Sequence, residues 1–495
     1  MKRRHTLSIL FSSIALGLGL HAESPSETRP NVLVILADDM GYGDVQALNP
    51  ESKIPTPHLD SLAREGASFT DAHSPSSVCT PTRYGLLTGR YAWRSWLKKS
   101  VLFTPDKDKP LIENDRPTIA SFLKKAGYST HLVGKWHLGF EWPRKDNGEI
   151  DPESPITDGP IQKGFDTYFG VAASLDMVPY TFFRQDRSTT PVQEVQPALD
   201  FPKYVRQGPK AESFNFGDVL DILAAESDQV IGEAAKSEAP FFLYLPLTSP
   251  HKPVWPHERF VGKTDLGPYG DFVHQTDYTV GLVLESLKKH QVADNTLVIY
   301  TSDNGSFMFR IADRHPADHT TDATIQKYFA KNHRANAHWR GTKADIYEGG
   351  HRVPFFVRLP GRVNPGITVE RTTSQTDIFA TIADLLDLPL PEQAEDSYSF
   401  LKELSGKEGD KRPAVINHSI NGTFAIRDGD WKLILANGSG GRQNPRGEPF
   451  GKPYQLYHLG DDPSESKNLI EEKPDLAARM EAKFQEIARD HETSR

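Results

Sequence analysis

Five apolar runs along the chain, rich in β-branched residues, each give way to polar or charged positions. Residues 31–37 (NVLVILA) are continuously apolar after Asn31, and Asp38 and Asp39 follow. Residues 296–300 (TLVIY) lead to Asp303, Asn304 and Gly305, and residues 130–133 lead to Lys135 and His137. Residues 241–245 lead to Pro250 and His251. Residues 353–357 form a fifth run, whose Pro354 suits an edge strand or a strand's first positions. Runs this short, this apolar and this rich in valine and isoleucine read as strands buried on both faces.

Between them the apolar period lengthens to that of a helix. It predicts helices over 57–64, 117–125 (opened by proline), 219–235, 277–289 and 376–386. Strands alternating with helices imply an α/β protein with a largely parallel sheet covered on both faces. Ligands of such sheets gather beyond the carboxyl ends of the strands. Four of the runs place ionisable residues there. After about residue 387 the texture changes. A Leu-Pro-Leu-Pro stretch is followed by a hairpin pattern turning at Asp428-Gly429, a strand over 455–459 and a helix over 474–489. This predicts a catalytic domain over 23–387 and a smaller α+β subdomain over 388–495.

Composition narrows the class. The 495 residues are 37% hydrophobic and 10% aromatic, enough to build a large core. The first 22 residues read as an export signal: Lys2, Arg3 and Arg4, then an apolar stretch over 7–20 too short for a membrane span, and Ala22 as a cleavage position. The expectation is an exported protein, periplasmic or secreted, without membrane insertion. Its removal deepens the formal charge from −9 to −12, which argues against a nucleic-acid partner. One cysteine, Cys79, excludes an intrachain disulfide and any cysteine-built metal cluster. A lone cysteine in an exported chain is either an inert buried residue or a chemical one. Asp38-Asp39 and Asp303-Asn304 offer hard oxygen ligands for a divalent cation, and each pair is equally a turn sequence when taken alone.

The neighbourhood of Cys79 decides between these. Cys79-Thr-Pro-Thr-Arg83 followed by Thr88-Gly-Arg90 resembles the signature of the type I, formylglycine-dependent sulfatases of the alkaline-phosphatase-like superfamily. Gly134-Lys-Trp-His-Leu-Gly139, Ser249-Pro-His-Lys-Pro253 and the segment from Arg340 to Gly350 resemble further motifs of that family. The resemblance spans roughly residues 29–470. It implies an alkaline-phosphatase-like α/β/α sandwich and conversion of Cys79 to formylglycine by a maturation enzyme. One hydroxyl of the hydrated aldehyde attacks sulfur, and the second lets the aldehyde reform as sulfate leaves. A helix is expected to start after Pro81 and point its dipole at the developing anion.

The resemblance further implies that Asp38, Asp39, Asp303, Asn304 and residue 79 hold calcium, or magnesium in its place. Lys135 and Lys343 would bind sulfate oxygens, and Arg83 would hold the hydrate and the metal-side carboxylates. His137 would take the proton that starts sulfate elimination, and His251 with Lys343 would serve the leaving oxygen. Cations around the sulfuryl oxygens and an acid at the leaving oxygen are what the reaction requires. A sulfated carbohydrate is the expected substrate, with a lean towards a galacto-configured 6-O-sulfate. Ser174, Asp176, His351 and Arg352 are the expected sugar contacts. Five histidines between 315 and 351 suggest a pocket wall, and Trp93, Trp96, Trp142, Trp255 and Trp339 are stacking candidates with burial as their default. The rivals are a phosphoesterase or phosphonate monoester hydrolase on the same scaffold, and a glycan-binding homologue without catalysis.

Overall fold

Alternation within one strand organises the core. In Asn31–Asp38, Leu33, Ile35 and Ala37 join an apolar cluster on one face of a central sheet, and Val32, Val34 and Leu36 join a second cluster on the other. The helices Pro57–Glu65, Val219–Ala234 and Gly267–Lys289 cover the first face, and Cys79–Thr88, Ile119–Lys125 and Asp377–Leu385 cover the second. These features come from a computed structural model that describes residues 29–103, 109–151, 153–308 and 333–489. The export signal expected over 1–22 lies outside the described residues, as do His315 and His319. Among the described residues no helix is long and apolar enough to cross a membrane.

The central sheet has ten strands. Its middle places Thr296–Ser302, Asn31–Asp38, Phe241–Pro250 and Ser129–Lys135 side by side, all parallel. The four runs that end in ionisable residues are therefore neighbours, and their carboxyl ends form one continuous rim. Phe355–Arg358 pairs antiparallel with Thr296–Ser302 and lies inside the sheet, not at its edge. Pro354 precedes its first residue, so the missing N–H interrupts no ladder.

Two helix starts differ from the periodicity reading for local reasons. Thr118 caps Ile119–Lys125 by accepting from Ser121 N at 3.0 Å, so Pro117 stays outside the helix. Gly267–Lys289 begins ten residues before the expected 277, because a Gly-Pro start supplies an N-terminal proline. Asp277 within it accepts from the backbone N–H groups of His58 and Leu59, which tethers the start of Pro57–Glu65 across the face of the sheet.

Residues after 388 form a four-stranded antiparallel sheet: Val415–His418, Phe424–Asp428, Trp431–Ile434 and Gln455–His458. Pro474–Arg489 packs Ala477, Met480 and Phe484 against Ile416, Ile426, Leu433 and Leu456. The opposite side buries Ala425, Ile434 and Tyr457 against Ile346 and Tyr347 of the main domain.

Candidate active site

The strand ends deliver the chemistry directly. Asp38 closes its strand, and Asp39 turns away in the left-handed region (φ +68°), which an aspartate tolerates better than most side chains. Asp303 N donates to Ala37 O at 3.0 Å and Asp39 N donates to Asp303 Oδ1 at 3.1 Å, so two pairs 264 positions apart become one knot. Asn304 Nδ2 donates to Asp39 Oδ1 at 2.7 Å, which fixes its amide and leaves Asn304 Oδ1 buried with no hydrogen-bond partner. Asp38 Oδ1 is unpartnered in the same way, although Arg83 Nη2 stands 3.6 Å off. Gly134, one residue before Lys135, lets the backbones crowd here: a Cβ on it would sit 2.0 Å from Pro246 O.

Cys79 is the first residue of its helix, which thus starts before Pro81 and not after it, and brings residue 79 itself to the helix N-terminus. One turn on, Arg83 Nη2 donates to Asp303 Oδ2 at 2.7 Å and its Nη1 to the Lys135 carbonyl at 3.1 Å. Lys135 Nζ meets Asp38 Oδ2 at 2.6 Å, and Lys343 Nζ meets Asp39 Oδ1 at 2.5 Å. His251 Nε2 lies 3.6 Å from Asp39 Oδ2. His137 donates from Nε2 to the Leu102 carbonyl at 2.8 Å, and its Nδ1 is buried without a partner.

Electrostatics follow from this crowding. Burial, and then Asp38 nearby, push the Asp303 carboxyl up to about 7, and Asp39 is raised too. Asp38 is held well below the usual carboxylate range because Lys135, with Arg83, outweighs its burial. Burial, reinforced by Lys135 beside His137 and by Lys343 beside His251, keeps both imidazoles neutral, well below their ordinary value. Burial pushes the Cys79 thiol up, away from the thiolate that a cysteine nucleophile would need.

Three carboxylates (Asp38, Asp39, Asp303) face three fixed cations (Arg83, Lys135, Lys343), so the cluster is near neutral. A cation fits the observed donors: four oxygen-bearing side chains, two of whose buried oxygens have no hydrogen bond, and two carboxyls displaced upward by burial and then by their acidic neighbour Asp38. Residues 30–388 match the sulfatase family model.

The chain belongs to the sulfatase family. It is a sulfuric ester hydrolase with an alkaline-phosphatase-like fold, and residues 338–490 match the C-terminal model described for N-sulphoglucosamine sulphohydrolase. An N-acetylgalactosamine-6-O-sulfatase of Bacteroides thetaiotaomicron is 33% identical over 97% of this chain and 98% of its own. Human arylsulfatase A is 28% identical over 92% of this chain and 86% of its own. A solved Bacteroides thetaiotaomicron 6S-sulfatase structure, reported with the metabolism of multiple glycosaminoglycans, superposes with a TM-score of 0.80 at 32% identity, covering 93% of this chain and 99% of the other.

The structure brings Cys79, Arg83, Lys135, His137, His251, Lys343, Asp38, Asp39, Asp303 and Asn304 together in one buried cluster. It does not bring His351 and Arg352 there. The short helix Glu348–His351 turns them away from it: His351 Nδ1 faces His73 Nδ1 at 3.0 Å and its Nε2 lies 3.2 Å from Lys432 Nζ of the C-terminal subdomain, and Arg352 pairs with Asp71 and Glu348. Their closeness to Lys343 in sequence was misleading, because that helical turn reverses their direction. Asp176 and Ser174 are each buried with an unpartnered oxygen. His333 is bonded to Asp44, Trp93, Trp142 and Trp339 are buried, Trp255 stacks on Phe216, and Trp96 alone of the five tryptophans is exposed.

Sequence reasoning missed three supports. Ser77 donates its N–H to His418 O at 2.9 Å and accepts from Ala344 N at 2.8 Å, setting the turn before Cys79. Gln375 Nε2 donates to Ser302 O at 2.6 Å, behind the Asp303 knot. The Leu102 carbonyl fixes the His137 tautomer. Backbone carbonyls leave no sequence signal, and Gln375 lies too far along the chain to be associated with Ser302.

Proposed function

We propose that this sulfatase releases inorganic sulfate from a sulfated carbohydrate, with residue 79 carried as formylglycine and calcium, or magnesium in its place, held by Asp38, Asp39, Asp303 and Asn304. The observation that carries the reading is the near-neutral cluster of three acids and three bases around Cys79, with one Asp38 carboxylate oxygen and the Asn304 amide oxygen left open. A bound divalent cation would polarise a sulfuryl oxygen and give the cluster the positive charge that an anionic ester seeks. Formylglycine explains why a buried, hard-to-ionise thiol occupies the helix N-terminus: its hydrate supplies the attacking hydroxyl.

The chain's own residues then divide the work. Lys135 and Lys343 present ammonium groups to the ester oxygens, where fixed donors stabilise developing charge. His137, its Nε2 proton committed to Leu102, offers Nδ1 as the acceptor for the proton released when sulfate is expelled. His251 is committed through Nδ1 to the Lys252 carbonyl at 2.5 Å, so only its Nε2 can exchange a proton with the leaving oxygen. Arg83 keeps Asp303 and the strand end in place.

The relative named for N-acetylgalactosamine 6-sulfate supports a galacto-configured 6-O-sulfate as the first substrate class to try. The basic, then apolar, first 22 residues support export, and a formylglycine-generating enzyme is the implied maturation partner. Released sulfate should be assayed across sulfated mono- and disaccharides, beside the matching phosphate esters, with intact-mass measurement of residue 79. Release from 6-O-sulfated galactosides by protein carrying the aldehyde is the expected result. A strong preference for phosphate, or full activity with an unconverted thiol, would overturn the reading.

A further inference from the structure

Beyond the catalytic cluster, on the side of His251, the chain builds a second set of charges that the reaction does not use. Asp176 is 1% exposed, and its Oδ2 accepts from Arg206 Nη1 at 2.7 Å. The same oxygen lies 3.9 Å from Lys252 Nζ, while Asp176 Oδ1 is buried with no hydrogen-bond partner. Ser174 Oγ, two residues earlier, is buried and unpartnered as well. Unpartnered buried oxygens are rare in folded proteins and mark places where a donor is expected to arrive.

Arg206 is held from behind. Tyr180 donates its hydroxyl to the Arg206 carbonyl at 2.6 Å, and Arg206 Nη1 also donates to the Asp176 carbonyl at 2.8 Å. Lys252 Nζ stands 4.4 Å above the Tyr204 ring, and the Arg206 guanidinium lies 5.6 Å from the same ring and 6.0 Å from Phe103. Phe103 is half exposed and follows Leu102, whose carbonyl orients His137. Two cations that reach solvent thus share one buried acid, and burial, with Arg442 and Lys343 nearby, lowers the Lys252 ammonium. In a chain with a formal charge of −9, this rim carries a local positive excess.

Resting on the carbohydrate-sulfatase reading, we propose that Asp176, Arg206 and Lys252 form a specificity subsite for a doubly anionic saccharide. Asp176 Oδ1 accepts from a sugar hydroxyl, and Arg206 and Lys252 receive a second negative group beside the scissile sulfate. That group is either a second sulfate on the same sugar or the carboxylate of a neighbouring uronic acid. The two sources share a chemistry, and substrate choice separates them.

The test measures kcat/KM by sulfate release on four saccharides. These are a 6-sulfated galactoside monosaccharide, its disulfated form, and its disaccharides with a uronic acid and with a neutral hexose. Wild-type protein is compared with Lys252→Met, Lys252→Arg and Arg206→Gln, each checked for an unchanged melting temperature. The expected result is a loss through KM at least about tenfold greater on one or both doubly charged substrates than on the neutral-partner disaccharide. Lys252→Arg should restore most of it, which a purely structural role would not. If the loss falls on the disulfated sugar, the second group is a sulfate; if on the uronide, a carboxylate. Equal losses on all four substrates, with release still measurable, would overturn the subsite and leave the sulfatase reading standing. No release from any of the four by wild-type protein would overturn both.

Discussion

Two of the buried charge clusters among the described residues behave oppositely. The cluster around Cys79 sets Asp38, Asp39 and Asp303 against Arg83, Lys135 and Lys343, yet leaves Asp38 Oδ1, Asn304 Oδ1 and His137 Nδ1 without hydrogen-bond partners. The second cluster joins the two subdomains: Asp71, His73, Glu348, His351, Arg352, Arg427, Lys432 and Glu465. There each acid meets a cation. Glu348 is held by Lys432 at 3.0 Å and Arg352 at 3.2 Å, and Glu465 by Lys432 at 2.8 Å. His73, Glu348 and His351 have metal-ligand spacing, but Lys432 Nζ stands 3.2 Å from His351 Nε2 and already fills the cation's role. Burial and charge are common to both clusters. What distinguishes the cluster around Cys79 is an oxygen that no cation touches: Arg83 stands 3.6 Å from Asp38 Oδ1, whereas Lys432 reaches Glu465 Oε1 at 2.8 Å.

The sharpest way to break this contrast is to change each cluster and ask whether activity or stability responds. Cys79→Ser should fold normally, bind substrate and complete at most one turnover, because a serine lacks the second hydroxyl. Steady-state sulfate release should fall by about 10³-fold or more, the scale of losing a principal stabilising group. A burst assay showing several turnovers per protein would refute the geminal-diol chemistry. Glu348→Ala does the reverse: it leaves Lys432 with Glu465 and Arg352 with Asp71 as their remaining acid partners and unbalances the cluster by one positive charge, which should cost up to about 3 kcal/mol of stability, read as a lowered urea midpoint with folded protein still turning over.

A third test lies at the seam itself. His418 is buried, its Nε2 donates to the Lys98 carbonyl at 2.8 Å, and burial lowers its pKa to about 4. A folded-state pKa below the unfolded value means the native state binds fewer protons. The stabilisation is therefore complete above about pH 6.5 and is lost as pH falls towards 4, an effect on the order of 3 kcal/mol. His418→Gln keeps an N–H for Lys98 and should flatten this dependence in urea titrations. The smallest effect concerns the open oxygens. Calcium at about 100 times its Kd should stabilise wild-type protein by roughly 2.7 kcal/mol, and Asp38→Asn should remove most of that gain in thermal melts. The interdomain cluster should show no such response.

Much of this was legible from spacing. Four apolar runs ended in ionisable residues, and parallel pairing of their strands made those ends converge. The helical periods at 219–235 and 474–489 nearly coincide with the observed helices because their apolar faces are unbroken. What stayed hidden depends on direction and on long-range partners. His351 and Arg352 lie eight and nine residues beyond Lys343, yet one helical turn points them at Lys432 and Asp71. Arg206 sits in an irregular segment with no pattern to mark it, and only the fold puts it on Asp176. The helix at Cys79 began before Pro81 because Val78 is extended and the helix then carries proline in its first turn, where its missing N–H costs nothing.

The bond from Ser77 N to the His418 carbonyl spans 341 residues of chain. A ribosome working from the amino end must make nearly the whole polypeptide before that bond can close. Through that interval the turn carrying Cys79 waits unfinished, and a thiol that the completed molecule keeps 2% exposed stays open to its surroundings. Topology here acts as a clock: slow, non-local closure sets how long that thiol stays accessible.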